Sequence, residues 1–497
     1  MKKVLSVVLV IIILTLTFAM TACNFVQITA STQAMPTEST TSKRLPDGQN
    51  PNEDVDVTYN EAYDGSSVEI TFWHSIADSS GRFLASTIAR FNEIYPNIHV
   101  NDVVYGDYES LYNKISITFN ADKQPNLAFC FPDYIALLSE AESVIALDDL
   151  INNTSVIGGS SEMMGFSQAQ LDDFVEEFYN EGRGYGDGKM YSLPLPKSTD
   201  LLYYNKTVFD ALGLEAPTTW EEMEEVIQVL KAEYPDSIPL GYDSSENFFI
   251  TLSAQYNAPY TSATGEHYLF VNDTSKAFVE KFAEWYYMGW MTTSELMGGY
   301  YTSDAFKKDN DELGKMFMSI ASSTGARYQR PDKVSGEYPF EVGIASVPQV
   351  NPDAPKAISQ GPSICIFKNN NPQEVYASWL FIKFLLTDIE FQAEYCIRYG
   401  YSPITQSVCN STLYSEYLDK ADGGDFITSL AAKVAVEQRD YYFTPPAFVG
   451  SNNARTQVGD LLDSVLSRYK LGEDNSAMID EQFKKYYDIC KNGSYGY

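Results

Sequence analysis

The chain of 497 residues is short of histidine, cysteine and positive charge, and each shortage closes off a class of function. Only three histidines occur, His74, His99 and His267. They are too far apart for HExxH, and no Cys/His cluster has zinc-like spacing, so no metal is expected. Six cysteines, Cys23, Cys130, Cys365, Cys396, Cys409 and Cys490, form no CxxC pair and are too scattered for a disulfide framework, which leaves packing to hold the fold. Lys and Arg number 34 against 67 Asp and Glu, a formal charge of −33. Nucleic-acid recognition draws on clustered cations, so no nucleic-acid partner is expected, although a local basic pocket is allowed. Catalytic signatures are missing as well. There is no GxSxG elbow, and the glycine-rich run Gly182–Met190 carries Arg183 where a Walker A loop needs its first glycine and Met190 where it needs Ser or Thr. That run also fails GxGxxG and reads as a turn before a strand; no cofactor is expected.

What is present is globular: 44% hydrophobic and 14% aromatic residues over a length that supports two or more domains. Lys2 and Lys3 precede seventeen uncharged residues, Val4 to Met20, and Met20-Thr21-Ala22-Cys23 follows as a small-residue cleavage site. Residues 1–22 therefore read as a secretory signal, with a signal anchor as the alternative. The segment resembles a bacterial lipobox, with Met20 where leucine is most often found, and the resemblance implies lipid on Cys23. Removing residues 1–22 would leave 32 − 67 = −35. Residues 23–66 are rich in Thr, Ser, Pro, Asp and Asn and read as a flexible linker.

Folded sequence begins at Val68, where Val68, Ile70 and Phe72 alternate with Glu69 and Thr71 as in a strand. Phe83, Leu84, Ile88, Phe91 and Tyr95 follow at helical spacing until Pro96. Strands are expected at 98–105 and 127–131, with a helix near 108–118. Alternating strand and helix predicts an α/β fold with a parallel sheet. Thr219 and Glu222 form a capping box ahead of Trp220, Met223, Ile227 and Leu230. Helices are expected at 275–287, 373–386 and 456–471, the last ended by Gly472, and strands at 315–320, 341–347 and 364–367.

Six segments carry a resemblance. In order they are Ile70-Thr71-Phe72-Trp73-His74, Tyr105–Leu111, Leu193-Pro194 with Leu202-Tyr203-Tyr204-Asn205-Lys206, Pro217–Glu222, Gly343–Pro348 before Gln360-Gly361-Pro362-Ser363, and Tyr399-Gly400-Tyr401-Ser402-Pro403-Ile404. Together they resemble the family 1 extracellular solute-binding proteins of bacterial ABC importers, closest to the carbohydrate and glycerol-phosphate branch, over roughly residues 68 to 475. The resemblance implies a two-lobed periplasmic-binding-protein-like fold with a ligand cleft between lobes. Carried onto this chain, lobe 1 spans 67–196 and 319–369, and lobe 2 spans 197–318 and 370–490. It further implies a monomer tethered by lipid at the outer face of the cytoplasmic membrane, handing its solute to permease subunits without catalysis. Closure about a hinge, the motion that periplasmic binding proteins exemplify, would let a membrane partner tell loaded from empty.

Candidate ligand residues follow from composition and position. Trp73 and His74 close the first strand, where an aromatic wall would face a sugar, or else they pack in the core and a turn. Glu109 matches a cleft acid of the glycerol-phosphate branch and equally suits a helix N-terminus. Asp133 and Tyr134 follow a strand end, where loops tend to carry function, or else they are a helix cap and a packed ring. Ser244, Ser245 and Asn247, and Ser322, Ser323 and Arg327, lie in polar loops. Gly361 suits close backbone approach to a ligand or a plain turn. Tyr401 and Arg455 match cleft positions of the family, and a buried Arg455 could grip phosphate or carboxylate. The leading reading is capture of a carbohydrate or polyol, with glycerol phosphate as a variant. A secreted glycan hydrolase, its carboxylates hidden among 67 acids, is the rival from another class, and a surface adhesin is a third.

Overall fold

The computed structural model describes residues 58–76, 81–119, 123–158, 160–307, 315–423 and 427–493. The expected signal segment and Cys23 lie outside them. The linker expectation is corrected at its end. Tyr59 and Tyr63 are buried, the Tyr59 ring meets Tyr376 edge-on at 6.1 Å, and Asn153 Nδ2 donates to the Tyr59 and Glu61 carbonyls at 2.8 Å each. Two large rings in a polar stretch are enough to fold it down.

Two sheets organise the chain. The first has strand order β2-β1-β3-β11-β4, with β1 (Val68–His74), β2 (Ile98–Val104), β3 (Leu127–Cys130), β4 (Leu193–Pro194) and β11 (Ser363–Ile366). Strand β1 is parallel to β2 and β3, while β11 runs antiparallel to β3 and β4. The second sheet has order β12-β10-β5-β8-β6-β7, with β5 (Ser198–Asn205), β6 (Leu240–Tyr242), β7 (Met291–Thr293), β8 (Met318–Ser322), β10 (Ala357–Gln360) and β12 (Tyr442–Phe443). A further strand, β9 (Val342–Ser346), pairs antiparallel with the later half of β5.

Helices cover these sheets for the reasons visible in the sequence. Helix α1 (Arg82–Ile94) buries Phe83, Leu84, Thr87 and Phe91 on one stripe. Helix α2 (Tyr108–Phe119) and helix α3 (Pro132–Glu140), the latter opened by proline at N1, follow β2 and β3. Helix α4 (Trp220–Glu233) carries the capping box between Thr219 and Glu222. Helices α5 (Ser245–Gln255) and α6 (Asp273–Tyr287) complete the middle of the chain. Helix α7 (Pro372–Thr387) lays Phe381 against Phe72 and Phe91 at 5.5 and 5.0 Å, and α8 (Ile389–Tyr399) stacks Phe391 on Phe83 at 5.4 Å. Helix α9 (Ser451–Arg468) begins five residues before the expected start, where Gly450 at φ 107 turns the chain into it, and it stops at Tyr469 in extended backbone rather than at Gly472.

These contacts redraw the expected lobe boundaries. Strands β8 and β10 lie in the second sheet with β9 against β5, so residues 318–360 belong there rather than with 67–196; only β11 returns to the first sheet. Helices α7 and α8, expected in the second lobe, pack on the first through Phe381 and Phe391. Alternating apolar residues specify a strand but not which sheet receives it. The chain thus passes between the sheets from β4 to β5, from β10 to β11, and again between α8 and β12.

Candidate functional site

The C-terminal ends of β1 and β3 in one lobe and of β6, β8 and β10 in the other lead into two chambers, each lined from both lobes. Crevices at the carboxyl ends of parallel strands are where α/β sheets place ligands. The larger chamber, about 610 Å³, takes Ser75 and Ile76 after β1, Tyr108 at the start of α2, Asp243 after β6, and Ser322, Thr324 and Arg327 after β8. Six of its wall residues are tyrosines: Tyr108, Tyr301, Tyr328, Tyr395, Tyr399 and Tyr401. Tyr401 stacks on Tyr395 at 5.5 Å and 6°, and Tyr395 leans on Tyr399 at 5.0 Å, which makes a preset aromatic wall. Burial pushes the Tyr401 hydroxyl well above its ordinary range and keeps it a neutral donor. Asp243 accepts from the Thr302 N–H and hydroxyl at 2.6 and 2.7 Å, and burial raises its pKa above the usual range despite them. Lys307 pairs with Asp304 at 3.2 Å, and the Arg327 guanidinium lies 5.2 Å from the Tyr328 ring.

The smaller chamber, about 250 Å³, is lined by Asp133 and Tyr134 at the start of α3, by Gln360 and Gly361 at the β10–β11 passage, and by Glu181, Ser359, Asn452 and Arg455. Ser451 Oγ donates to Asp133, and burial raises the Asp133 carboxyl against the pull of that bond and of Arg455. Arg455 Nη2 donates to Asn247 Oδ1, while Asn247 Nδ2 donates to Asp200 at 3.1 Å. Burial pushes the Asp200 carboxyl up to about 6, although Asn247 and Tyr242 donate to it. Behind the chamber Lys197 is fully buried. Its ammonium meets Glu181 at 2.8 Å and the carbonyls of Gly361 and Pro362 at 3.0 Å each. Its backbone exchanges hydrogen bonds with Ser402 at 3.2 and 2.7 Å. One side chain therefore joins two passages between the lobes. Burial drives the Lys197 pKa down and the Glu181 pKa up, while their pairing opposes both shifts.

Among the expected residues, the structure brings Asp133, Tyr134, Gly361 and Arg455 to the smaller chamber, with Asn247 behind Arg455. Tyr401 lines the larger one, together with Ser322 and Arg327. Five expectations are corrected. Trp73 is 7% exposed and packs on Tyr105 at 5.3 Å, lining neither chamber. His74 lies between Phe72 and Phe129 and accepts from the Ile76 N–H at 3.1 Å, with Nε2 3.5 Å from Asp102; burial lowers its pKa, so it is a neutral core residue. Glu109 stands exposed in the first turn of α2, where a helix N-terminus favours an acid. Ser245 donates to Asp463 at 2.9 Å and ties α5 to α9. Ser323 donates to the Gly400 carbonyl at 2.9 Å and is buried beside the chamber wall. Gly361 does permit close approach, but of protein: a Cβ there would meet the Pro196 carbonyl at 2.9 Å and Lys197 Cδ at 3.0 Å. Tyr108, Tyr301, Tyr328, Tyr395 and Tyr399 were missed, although 36 tyrosines, three of them at 395, 399 and 401, were a signal. Glu181 and Lys197 left no sequence signal. Among the described residues no group of three or more His, Cys, Asp or Glu could hold a metal ion, and no helix is long and apolar enough to cross a membrane.

Two α/β lobes meeting over polar, aromatic-walled chambers define a solute-capturing protein of the cleft type. The chain belongs to the bacterial extracellular solute-binding proteins, whose family profile matches residues 86–420. It is similar to the sn-glycerol-3-phosphate-binding periplasmic protein UgpB of Salmonella typhimurium, at 24% identity over 81% of this chain and 90% of that one. Among solved structures it is similar to the cyclic alpha-maltosyl-1,6-maltose binding protein of Arthrobacter globiformis, with TM-score 0.65, 18% identity, and coverage of 86% of this chain and 100% of the other. UgpB from Mycobacterium tuberculosis in complex with glycerophosphocholine superposes with TM-score 0.63 at 18% identity over 85% and 98% of the two chains.

Proposed function

We propose that this protein captures a carbohydrate or polyol-type solute in the cleft and delivers it unaltered to an ABC permease. A six-tyrosine wall spanning both lobes carries this reading, because ring faces stack on sugar faces at little desolvation cost while neighbouring carboxylates and amides accept hydroxyl hydrogens. Relatives named for maltose-type sugars and for glycerol phosphate support the solute class. Lipidation at Cys23 would hold the protein at the outer face of the cytoplasmic membrane, where a modest local concentration serves the permease. The site residues are Tyr108, Tyr395 and Tyr401 in the larger chamber and Asp133, Tyr134 and Arg455 in the smaller one. A thermal-shift screen against neutral oligosaccharides, polyols and sugar phosphates tests the reading: a bound member raises the melting temperature, Tyr401→Ala abolishes the rise, and chromatography recovers the saccharide unchanged. Product accumulating with time would point instead to a hydrolase.

A further inference from the structure

The smaller chamber holds a polar group that no protein partner satisfies. Glu181 is 8% exposed; its Oε1 takes Lys197 Nζ at 2.8 Å and Ser363 Oγ at 3.3 Å, while Oε2 has no hydrogen-bond partner. Ser359, 1% exposed, lines the same cavity and also has an unpartnered hydroxyl. Buried polar atoms are nearly always hydrogen-bonded, so two orphans on residues that line one cavity point to a place where a guest completes the network. The cavity's charge then selects that guest. Two carboxylates, Asp133 and Glu181, and one cation, Arg455, line the cavity, with Asp200 behind Asn247 and Lys197 behind Glu181. The Lys197 ammonium already meets Glu181 Oε1, two carbonyls and Ser363 Oγ. Arg455 Nη2 donates to Asn247 and, with the Gln360 amide oxygen turned toward it, Nη1 donates at 3.1 Å. No cation is left in excess for a dianion.

We infer that Glu181, through its free Oε2 and together with Asp133, makes the smaller chamber a subsite for hydroxyl donors of an uncharged sugar rather than for a phosphate. This rests on the capture reading above and narrows it. A sugar hydroxyl donates to Oε2 and can accept from Ser359, satisfying both orphans at once, whereas a phosphate brings only acceptors and further negative charge into a carboxylate-rich cavity.

The test pairs neutral probes with phosphorylated ones on the same protein: maltotriose, cellotriose, xylotriose and glycerol against glucose 6-phosphate and sn-glycerol 3-phosphate, read by thermal shift and then by calorimetry. Binding of a neutral saccharide with neither phosphate bound is the expected result. Glu181→Gln turns the free acceptor into a donor and should weaken that saccharide about ten- to hundredfold. If the Gln variant fails to fold, Asp133→Asn makes the same test with the other carboxylate that lines the chamber. A phosphate ester bound more tightly than the neutral probes, or unchanged saccharide affinity in a folded Glu181→Gln protein, would overturn the inference while leaving solute capture standing. Binding of none of the probes would bring down the saccharide reading itself, and this inference with it.

Discussion

The larger chamber encloses about 610 Å³ behind rings, and the smaller one about 250 Å³ among charges, yet both open from strand ends of the same two sheets. Rings cost little to desolvate and need no partner, so a tyrosine wall can stand open without destabilising the fold: Tyr301 and Tyr328 are 67% and 57% exposed. Buried charges are different. Each must be paired or lose ionisation, and so the smaller chamber is inseparable from the passages between the lobes, where Lys197 serves Glu181 and the Gly361 and Pro362 carbonyls together. The contrast separates residues whose loss should affect only binding from residues whose loss should also affect folding.

The largest expected effect lies in the charged region. Lys197→Met leaves Glu181 buried beside a methyl group and should cost about 3–5 kcal/mol in urea unfolding. The double variant Lys197→Met with Glu181→Leu should recover most of this, since breaking a buried pair costs more than replacing it. A small loss in the single variant would break the contrast. Next is a pH effect. Burial raises the Asp463 carboxyl to about 6, although Thr293 and Ser245 donate to it, while an unfolded aspartate titrates near 3.9. Between about pH 4 and 6 the folded chain thus keeps a proton that the unfolded chain has released, so stability falls as pH rises through that window and levels off above it. Relative to Asp463→Asn, the wild type should lose on the order of 1–3 kcal/mol from pH 4 to pH 7, measured by denaturation at each pH. The smallest effect belongs to the rings. Tyr301→Ala and Tyr328→Ala should each weaken saccharide binding by about 0.5–1.5 kcal/mol in calorimetry while shifting ligand-free stability by less than ~0.5 kcal/mol. A stability loss as large as that of Lys197→Met would erase the distinction.

Local signals were readable where a short pattern carries its own physics. Alternation at Val68–Phe72, the stripe from Phe83 to Phe91 and the reciprocal bonds of Thr219 and Glu222 all recur in the fold. Asp133 and Tyr134 reach a chamber wall because the turn after β3 faces the cleft, whereas Tyr401, just after α8, and Arg455, in the second turn of α9, were expected only through the family resemblance. Trp73 and His74 also close a strand, but on its two opposite faces both pack into aromatics, and the chain reaches the chamber only at Ser75 and Ile76.

Composition and spacing alone established an acidic chain, pointed to an α/β fold and made the N-terminus read as an export signal, because charge counts, hydrophobic runs and periodicity need no neighbours to interpret. Which sheet takes residues 318–360, and that Glu181 shares Lys197 with two carbonyls about 165 positions along the chain, only the tertiary structure decided. Strand pairing and side-chain hydrogen bonding over such separations depend on the whole chain's packing, and no local pattern encodes them.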